Sequence, residues 1–390
     1  MEELIDLVRD DLVRVPGPVD VPRIARLLRE AGQVVGAAEL LRTTSHLRDH
    51  LLGLGPLQEL LTPTVTDILV NGDGSVWVDT GEGLERSDLA LAPEQARELA
   101  VRLATVGGRR LDDAVPYVDA HLPDGARLHA VLPPLSTGAT LLSLRLPARH
   151  GFDLDALSRA GTFGPLGREV LEAVVASRLA FVVSGGTGTG KSTVLAAMLA
   201  RVPRHERIVI VEDAQELDVD HPHAVGLQSR HPNAEGAGAV DLSVLVRQCL
   251  RMRPDRIVLG ECRGAEVREL LQALNTGHEG GCGTLHANTA ADVPARLESL
   301  GALGGLDPRA LASQAASALD VVIHLGRAGR VRRLEQVAVL HRGRDGELAT
   351  TSALDLRGGE PVAGPAWDEL ASRLGLSASP AGRGSRRARR

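Results

Sequence analysis

The 390-residue chain contains a single lysine, Lys191; every other strongly basic side chain is an arginine. Aromatic residues make up 2% of the chain, cysteines number three, and no apolar run approaches the roughly 18 consecutive residues that a membrane-spanning helix requires. Each scarcity removes a class of protein. The six aromatic side chains (Trp77, Tyr117, Phe152, Phe163, Phe181 and Trp367) offer few platforms for stacking exposed bases. A net charge of -6 also argues against direct binding of nucleic acid. Cys249, Cys262 and Cys282 form an odd, widely spaced set without a C-x-x-C pair, which argues against a disulfide framework and a zinc site; they read as buried thiols. Residues 1–11 mix acids with Leu and Val and lack the basic-then-apolar order of a signal peptide, so the expectation is a cytoplasmic protein.

With 43% hydrophobic and 24% charged residues, a chain of this length has material for two or three compact domains. Apolar residues recur at helical spacing over 1–52 (Leu4, Val8, Leu12; Ile24, Leu27, Leu28; Leu40, Leu41, Leu47, Leu51), interrupted at Pro16 and Pro18, which predicts a helical segment. Over 53–146 the pattern changes to short β-type runs at 67–70, 76–78, 128–132 and 141–146, with a turn at Asn71-Gly72-Asp73-Gly74 and a helix at 93–105. This predicts a small α/β domain. Residues 147–167 read as a connector with a short helix over 154–160. From 168 to 344, apolar strands at 180–184, 208–211, 257–260, 283–286 and 321–325 alternate with helical runs, which implies a mainly parallel sheet covered by helices. Residues 345–390 read as an extension ending in an arginine-rich, disordered tail (Arg383, Arg386, Arg387, Arg389, Arg390).

The run Gly185-Gly186-Thr187-Gly188-Thr189-Gly190-Lys191-Ser192 fits G-x-x-x-x-G-K-[ST] at every position, and Thr193 follows it. The apolar strand before it and the helical run after it supply the strand–loop–helix order that the motif needs. Glycines let the backbone curl around phosphate, amides at the helix N-terminus donate to its oxygens, and Lys191 reaches the β- and γ-phosphates. Ser192 is the expected magnesium ligand. A bland glycine-rich loop would not also hold the only lysine, so ATP with Mg2+ is the expected ligand pair.

Two acids end neighbouring predicted strands: Glu212, in a cluster with Asp213 and Glu216, and Glu261. Phosphoryl transfer to water needs a metal ion between phosphates and a carboxylate to orient or deprotonate the water. Glu212 and Glu261 can divide these roles as metal ligand and base, in either assignment. His278 and His286 lie eight positions apart across a glycine turn, unlike a helical H-E-x-x-H metal site; a γ-phosphate sensor suits His286 better.

In this order the motifs resemble the ATPases of type II and type IV secretion systems. The resemblance is nearest to the branch that drives tight-adherence (Flp-type) pilus assembly and includes conjugal-transfer ATPases. The P-loop is followed by what resembles the family's Asp box at 210–216, its atypical Walker B at 253–263 and its His box at 277–288. Upstream, Gly53-Leu54-Gly55-Pro56-Leu57, Asp67-Ile68-Leu69-Val70-Asn71-Gly72 and Leu122-Pro123-Asp124-Gly125-Ala126-Arg127 are similar to the family's N-terminal domain, so the resemblance spans about 47–340. It implies an α/β fold, with a RecA-like P-loop NTPase domain preceded by a small α/β domain and N-terminal helices. It further implies a homo-oligomer, a hexameric ring, in which the small domain caps the nucleotide and arginines reach the phosphates; Arg127 and Arg145 best match such arginines. The implied partner is an integral inner-membrane platform protein, with peripheral contact at the cytoplasmic face of that membrane. The chain lacks the tetracysteine zinc insertion of some type II members and departs from the family by carrying Cys282 in the glycine-rich turn. The competing readings are a nucleic-acid translocase on the same core and a non-motor nucleotide switch.

Overall fold

The computed structural model describes residues 7–8, 11, 20–31, 35–36, 39–41, 43–44, 47 and 53–376, apart from 63, 82, 124, 147–151, 231, 233–236 and 330. Leu4, Leu12, Leu51, Pro16, Pro18, Asp124, the start of the expected connector and the arginines of the tail therefore lie outside the described residues. The chain divides into two compact units, residues 1–147 and 148–390.

In the first unit, Asp20 caps the helix Val21–Glu30 by accepting from the Arg23 amide at 3.0 Å. Its apolar face, Ile24, Leu27 and Leu28, packs with Val8 and Leu47 into a small satellite core. The body of this unit is a six-stranded antiparallel sheet in the order β3 (Leu84–Ala90), β2 (Ser75–Asp79), β1 (Asp67–Val70), β6 (Leu141–Arg145), β5 (Arg127–Val131), β4 (Tyr117–His121). Alternation divides its faces. Ile68, Val70, Leu128, Ala130, Leu142 and Leu144 point inward with the helix Pro93–Val106, which contributes Leu99 and Leu103, whereas Asp67, Arg127 and Arg145 lie on the other face. The expected turn after β1 is present; Gly74, at φ 81°, passes so close to β3's far end that a Cβ there would stand 2.3 Å from the Leu91 carbonyl oxygen.

The second unit is built on a nine-stranded sheet in the order β15 (Val362–Ala363), β14 (Leu348–Asp355), β13 (Val331–Arg342), β12 (Val321–Ala328), β7 (Phe181–Gly185), β11 (Cys282–Leu285), β10 (Arg256–Cys262), β8 (Ile208–Glu212), β9 (Ala224–Gln228). From β12 to β9 every pairing is parallel, and β13 to β15 add an antiparallel flank. The parallel strands read as continuous apolar runs because helices cover both faces. One face buries Phe181, Val183, Ile208 and Ile323 under the helices Pro165–Ala176, Lys191–Leu199 and Trp367–Leu374. The other buries Val182, Val209, Leu259 and Val322 under the helices Leu242–Cys249, Glu266–Leu274, Val293–Leu303 and Pro308–Ala318. The three cysteines are free and buried.

The short helix expected over 154–160 is present as Leu154–Arg159; with Phe163 it enters the second unit's core, because Leu154, Leu157 and Phe163 are apolar at the spacing that faces it. Residues 348–374 continue the same sheet, since β14 pairs with β13 and Trp367 and Leu370 are buried beneath it. Among the described residues no helix is long and apolar enough to cross a membrane.

Candidate active site

The chain turns sharply between β7 and the helix Lys191–Leu199, and Gly185, Gly188 and Gly190 there have φ of 151°, 73° and 89°. A Cβ on Gly185 would stand 2.5 Å from the Leu325 carbonyl oxygen, so only glycine lets β7 run this close to β12 before the turn. Thr189 Oγ1 donates to the Gly186 carbonyl at 2.9 Å and braces the loop from within. Thr187 is exposed at its crest, and Ser192 and Thr193 form the first turn of a helix whose N-terminus has no side-chain cap. Its free amides are the donors that an anion would meet.

Lys191 is buried, and its ammonium donates to the carbonyl oxygens of Gly185 at 3.0 Å and Gly186 at 2.9 Å. Burial lowers its pKa, and Glu261 and Glu216 oppose that shift. His286, directly after β11, places Nδ1 3.4 Å from Lys191 Nζ and Nε2 2.9 Å from Glu261 Oε1. An ammonium can only donate, so Nδ1 accepts and the proton sits on Nε2, donating to the carboxylate. Burial and the Lys191 charge lower the His286 pKa, which keeps the ring neutral in that tautomer.

Glu261 owes its position to a β-bulge. Leu259 pairs with Gly283 and Cys262 with Leu285, so β10 carries one residue more than β11 over this interval. Thr284 Oγ1 fills the gap by donating to the Gly260 carbonyl at 2.6 Å. Burial alone would raise the Glu261 pKa, but the Arg263 guanidinium at 2.5 Å, with His286 and Lys191, outweighs it and holds the carboxyl below its ordinary value. Glu212 ends β8 next door and is the opposite case. Burial pushes its carboxyl up to about 7, against the lowering effect of the Glu216 and Leu217 amides that donate to Oε1 at 3.2 and 3.1 Å. It lies over Gly260, where a Cβ would stand 2.5 Å from Glu212 Cγ.

Within the second unit the structure thus gathers the P-loop, Glu212, Glu261 and His286 at the carboxyl ends of adjacent strands, where open α/β sheets place their ligands. His278 precedes β11, lies at its other end and bonds the Ala273 carbonyl at 3.0 Å. Arg127 and Arg145 belong to the first unit, where they are cross-strand partners beside a shallow cavity of about 150 Å³ lined by Asp67, Asp119, His121 and His129. There Arg145 Nε donates to Asp67 Oδ1 at 3.1 Å. Sequence reasoning passed over two residues: Arg263, the last residue of the 253–263 stretch, and His324. His324 is buried on β12, bonds Ser184 Oγ at 2.9 Å just before the P-loop, and interacts with the main chain of Asn288. Among the described residues no three His, Cys, Asp or Glu form a ready metal cluster, so an ion here would draw on Ser192, one of the two glutamates and the phosphates themselves.

A P-loop on a parallel sheet, with a lysine, a neutral histidine and an ionised glutamate in one chain of contacts, defines a nucleotide-binding ATPase with a RecA-like core. Residues 50–349 match the family model described as Type II/IV secretion system protein. A Mycobacterium tuberculosis protein whose name assigns it to conjugal transfer is 52% identical over 350 residues, 87% of this chain and 99% of that protein. The conjugal transfer protein TrbB of Rhizobium radiobacter is 30% identical over 292 residues, 74% of this chain and 87% of that one. Among solved structures, the VirB11 ATPase of the Brucella suis type IV secretion system, in complex with sulphate, is 25% identical and covers 78% of this chain and 97% of its own, with a TM-score of 0.38. The chain belongs to the Type II/IV secretion system protein family and is an ATPase of that family.

Proposed function

We propose that this chain is the subunit of a ring-forming motor, a hexamer, that hydrolyses ATP to drive assembly of a tight-adherence pilus or movement of substrate through a type II/IV system. The observation that carries the reading is the contact chain Lys191–His286–Glu261 at the mouth of the P-loop. In it, the loop amides and Lys191 hold the phosphates. Glu261, ionised and partly exposed, orients the water and takes its proton as the water oxygen bonds the γ-phosphorus and ADP leaves. His286 links that carboxylate to Lys191, so loss of the γ-phosphate is felt at both residues. Glu212, held by its own backbone loop and poised near neutrality, suits the metal side of the site with Ser192; Mg2+ there would neutralise charge on the phosphates. Arg127 and Arg145 are assigned a role in sensing phosphate within the assembled motor, since two guanidinia side by side attract a polyanion. We further assign the chain to the cytoplasmic face of the inner membrane, working on an integral platform protein, with no nucleic acid as direct partner.

The test is molar mass by light scattering with a non-hydrolysable ATP analogue, alongside steady-state ATPase activity, for wild type and Lys191→Ala. A nucleotide-dependent ring with Lys191-dependent turnover supports the motor. A monomer with full activity would replace it by a nucleotide switch, and stimulation by single-stranded DNA would favour a translocase.

A further inference from the structure

The hairpin joining β12 to β13 carries Arg327, Arg332 and Arg333 within a few residues around a tight turn at Gly329, where φ is 63°. Arg327 and Arg332 are direct cross-strand partners, as are Leu325 and Leu334 before them. Both leucines are buried in the core that also receives Val194 and Leu195 of the P-loop helix. The two-residue period of a strand puts Arg327 and Arg332 on that same face, one step beyond the end of the core. They therefore stand over the P-loop. Arg327 Nη1 is 3.8 Å from the point a Cβ of Gly188 would occupy, and Arg332 Cδ is 3.3 Å from the corresponding point on Gly190.

Like charges directly opposite each other on a sheet are destabilising. Both side chains are exposed, so water screens part of the repulsion, but among the described residues neither arginine has an ion pair or hydrogen bond, whereas Arg168, Arg178 and Arg263 in this unit each meet a carboxylate. The unneutralised pair also stands beside the uncapped N-terminus of the helix that begins with the buried Lys191, and that terminus favours an anion. Such a concentration of positive charge is stable when a polyanion fills it. We propose that Arg327 and Arg332 clamp the polyphosphate chain of the nucleotide bound at the P-loop, a contact supplied by the same unit that holds Lys191. This rests on the nucleotide site assigned above and adds to it a second wall.

Equilibrium binding of a fluorescent ADP, and its displacement by inorganic tripolyphosphate, is to be measured on the full chain for wild type, Lys191→Ala, Arg327→Ala, Arg332→Ala and the double lysine variant Arg327→Lys/Arg332→Lys. Each arginine-to-alanine change should weaken both ligands about tenfold, the lysine variant should recover part of the loss, and the melting temperature of the free protein should not fall. Unchanged affinity for both ligands overturns the clamp. So does a loss confined to the fluorescent ADP, because the arginines would then be stacking on the base. If the wild type binds no nucleotide, or binds it as Lys191→Ala does, the underlying site assignment fails instead.

Discussion

At the amino ends of β8 and β10, Arg256 is buried at 1% exposure and donates to Glu206 at 2.7 Å and to the Val175 carbonyl at 3.0 Å, while Arg178 reaches the other Glu206 oxygen at 2.7 Å. At the carboxyl ends of the same two strands stand Glu212 and Glu261, one pushed up to about 7 and the other held below its ordinary value. Both ends bury charge, but the first encloses it among protein partners and the second leaves it facing the P-loop. Among the described residues Lys191 hydrogen-bonds there to loop carbonyls and a neutral imidazole. A fully partnered ion pair adds to stability only while it stays intact, because removing one member strands the other without water. Partly partnered charge at a sheet end is what an incoming anion and metal can complete. The amino end should therefore govern stability and the carboxyl end chemistry.

The sharpest break of that contrast is Glu206→Ala. It strands Arg256 in the core and should cost about 3–5 kcal/mol, read by urea unfolding, while ATP turnover per folded molecule stays unchanged. A fall in turnover with no loss of stability would show that the two ends do not divide these tasks. Glu261→Gln is the converse. The carboxamide cannot take a proton, so turnover should fall about a hundredfold or more with nucleotide binding and the melting temperature retained, because Glu261 is partly exposed and its loss opens no cavity. Gly260→Ala lies between the two in effect: the new Cβ would stand 2.5 Å from Glu212 Cγ and displace a buried carboxylate, costing about 1–3 kcal/mol of stability together with part of the activity.

Where residues act through contiguous pattern, the sequence was readable. The P-loop, its flanking strand and helix, and the acids at strand ends are local features, and the five expected strands of the parallel core fall on β7, β8, β10, β11 and β12. The strands that escaped are mostly edges. β3 and β4 bound the first sheet, and β9 and β15 bound the second; edge strands bury one side at most and carry too few apolar residues to announce themselves. Two interior strands escaped as well: β13, whose start is charged at Arg332, Arg333 and Glu335 before the apolar run Val337–Leu340, and β14, polar over Thr350–Thr351–Ser352, which is recognisable only by its pairing with β13. The bulge that turns Glu261 toward His286 depends on a count of residues in two strands at once, which no single stretch of sequence contains. The same holds for Arg263 and for His324, which is 140 positions from Ser184.

His324 gives the smallest effect and the most selective test of how the carboxyl end is braced. Burial depresses its pKa, partly opposed by the nearby Glu335, the main chain of Asn288 and Asp292, so the folded protein holds a neutral ring bridging β7 and the loop after β11. In the unfolded chain the imidazole takes up a proton below its ordinary value of about 6.5. A group that binds protons more readily when unfolded lowers stability as pH falls, by at most about 1.4 kcal/mol per pH unit. The stability advantage of wild type over His324→Asn should therefore narrow as pH falls from 7.5 to 5.5, measured by urea unfolding at each pH. Asparagine can keep a hydrogen bond to Ser184 but cannot titrate, so two parallel pH profiles would mean that burial leaves the ring's proton affinity unchanged, and an advantage that widens as pH falls would mean that the ring is protonated in the fold.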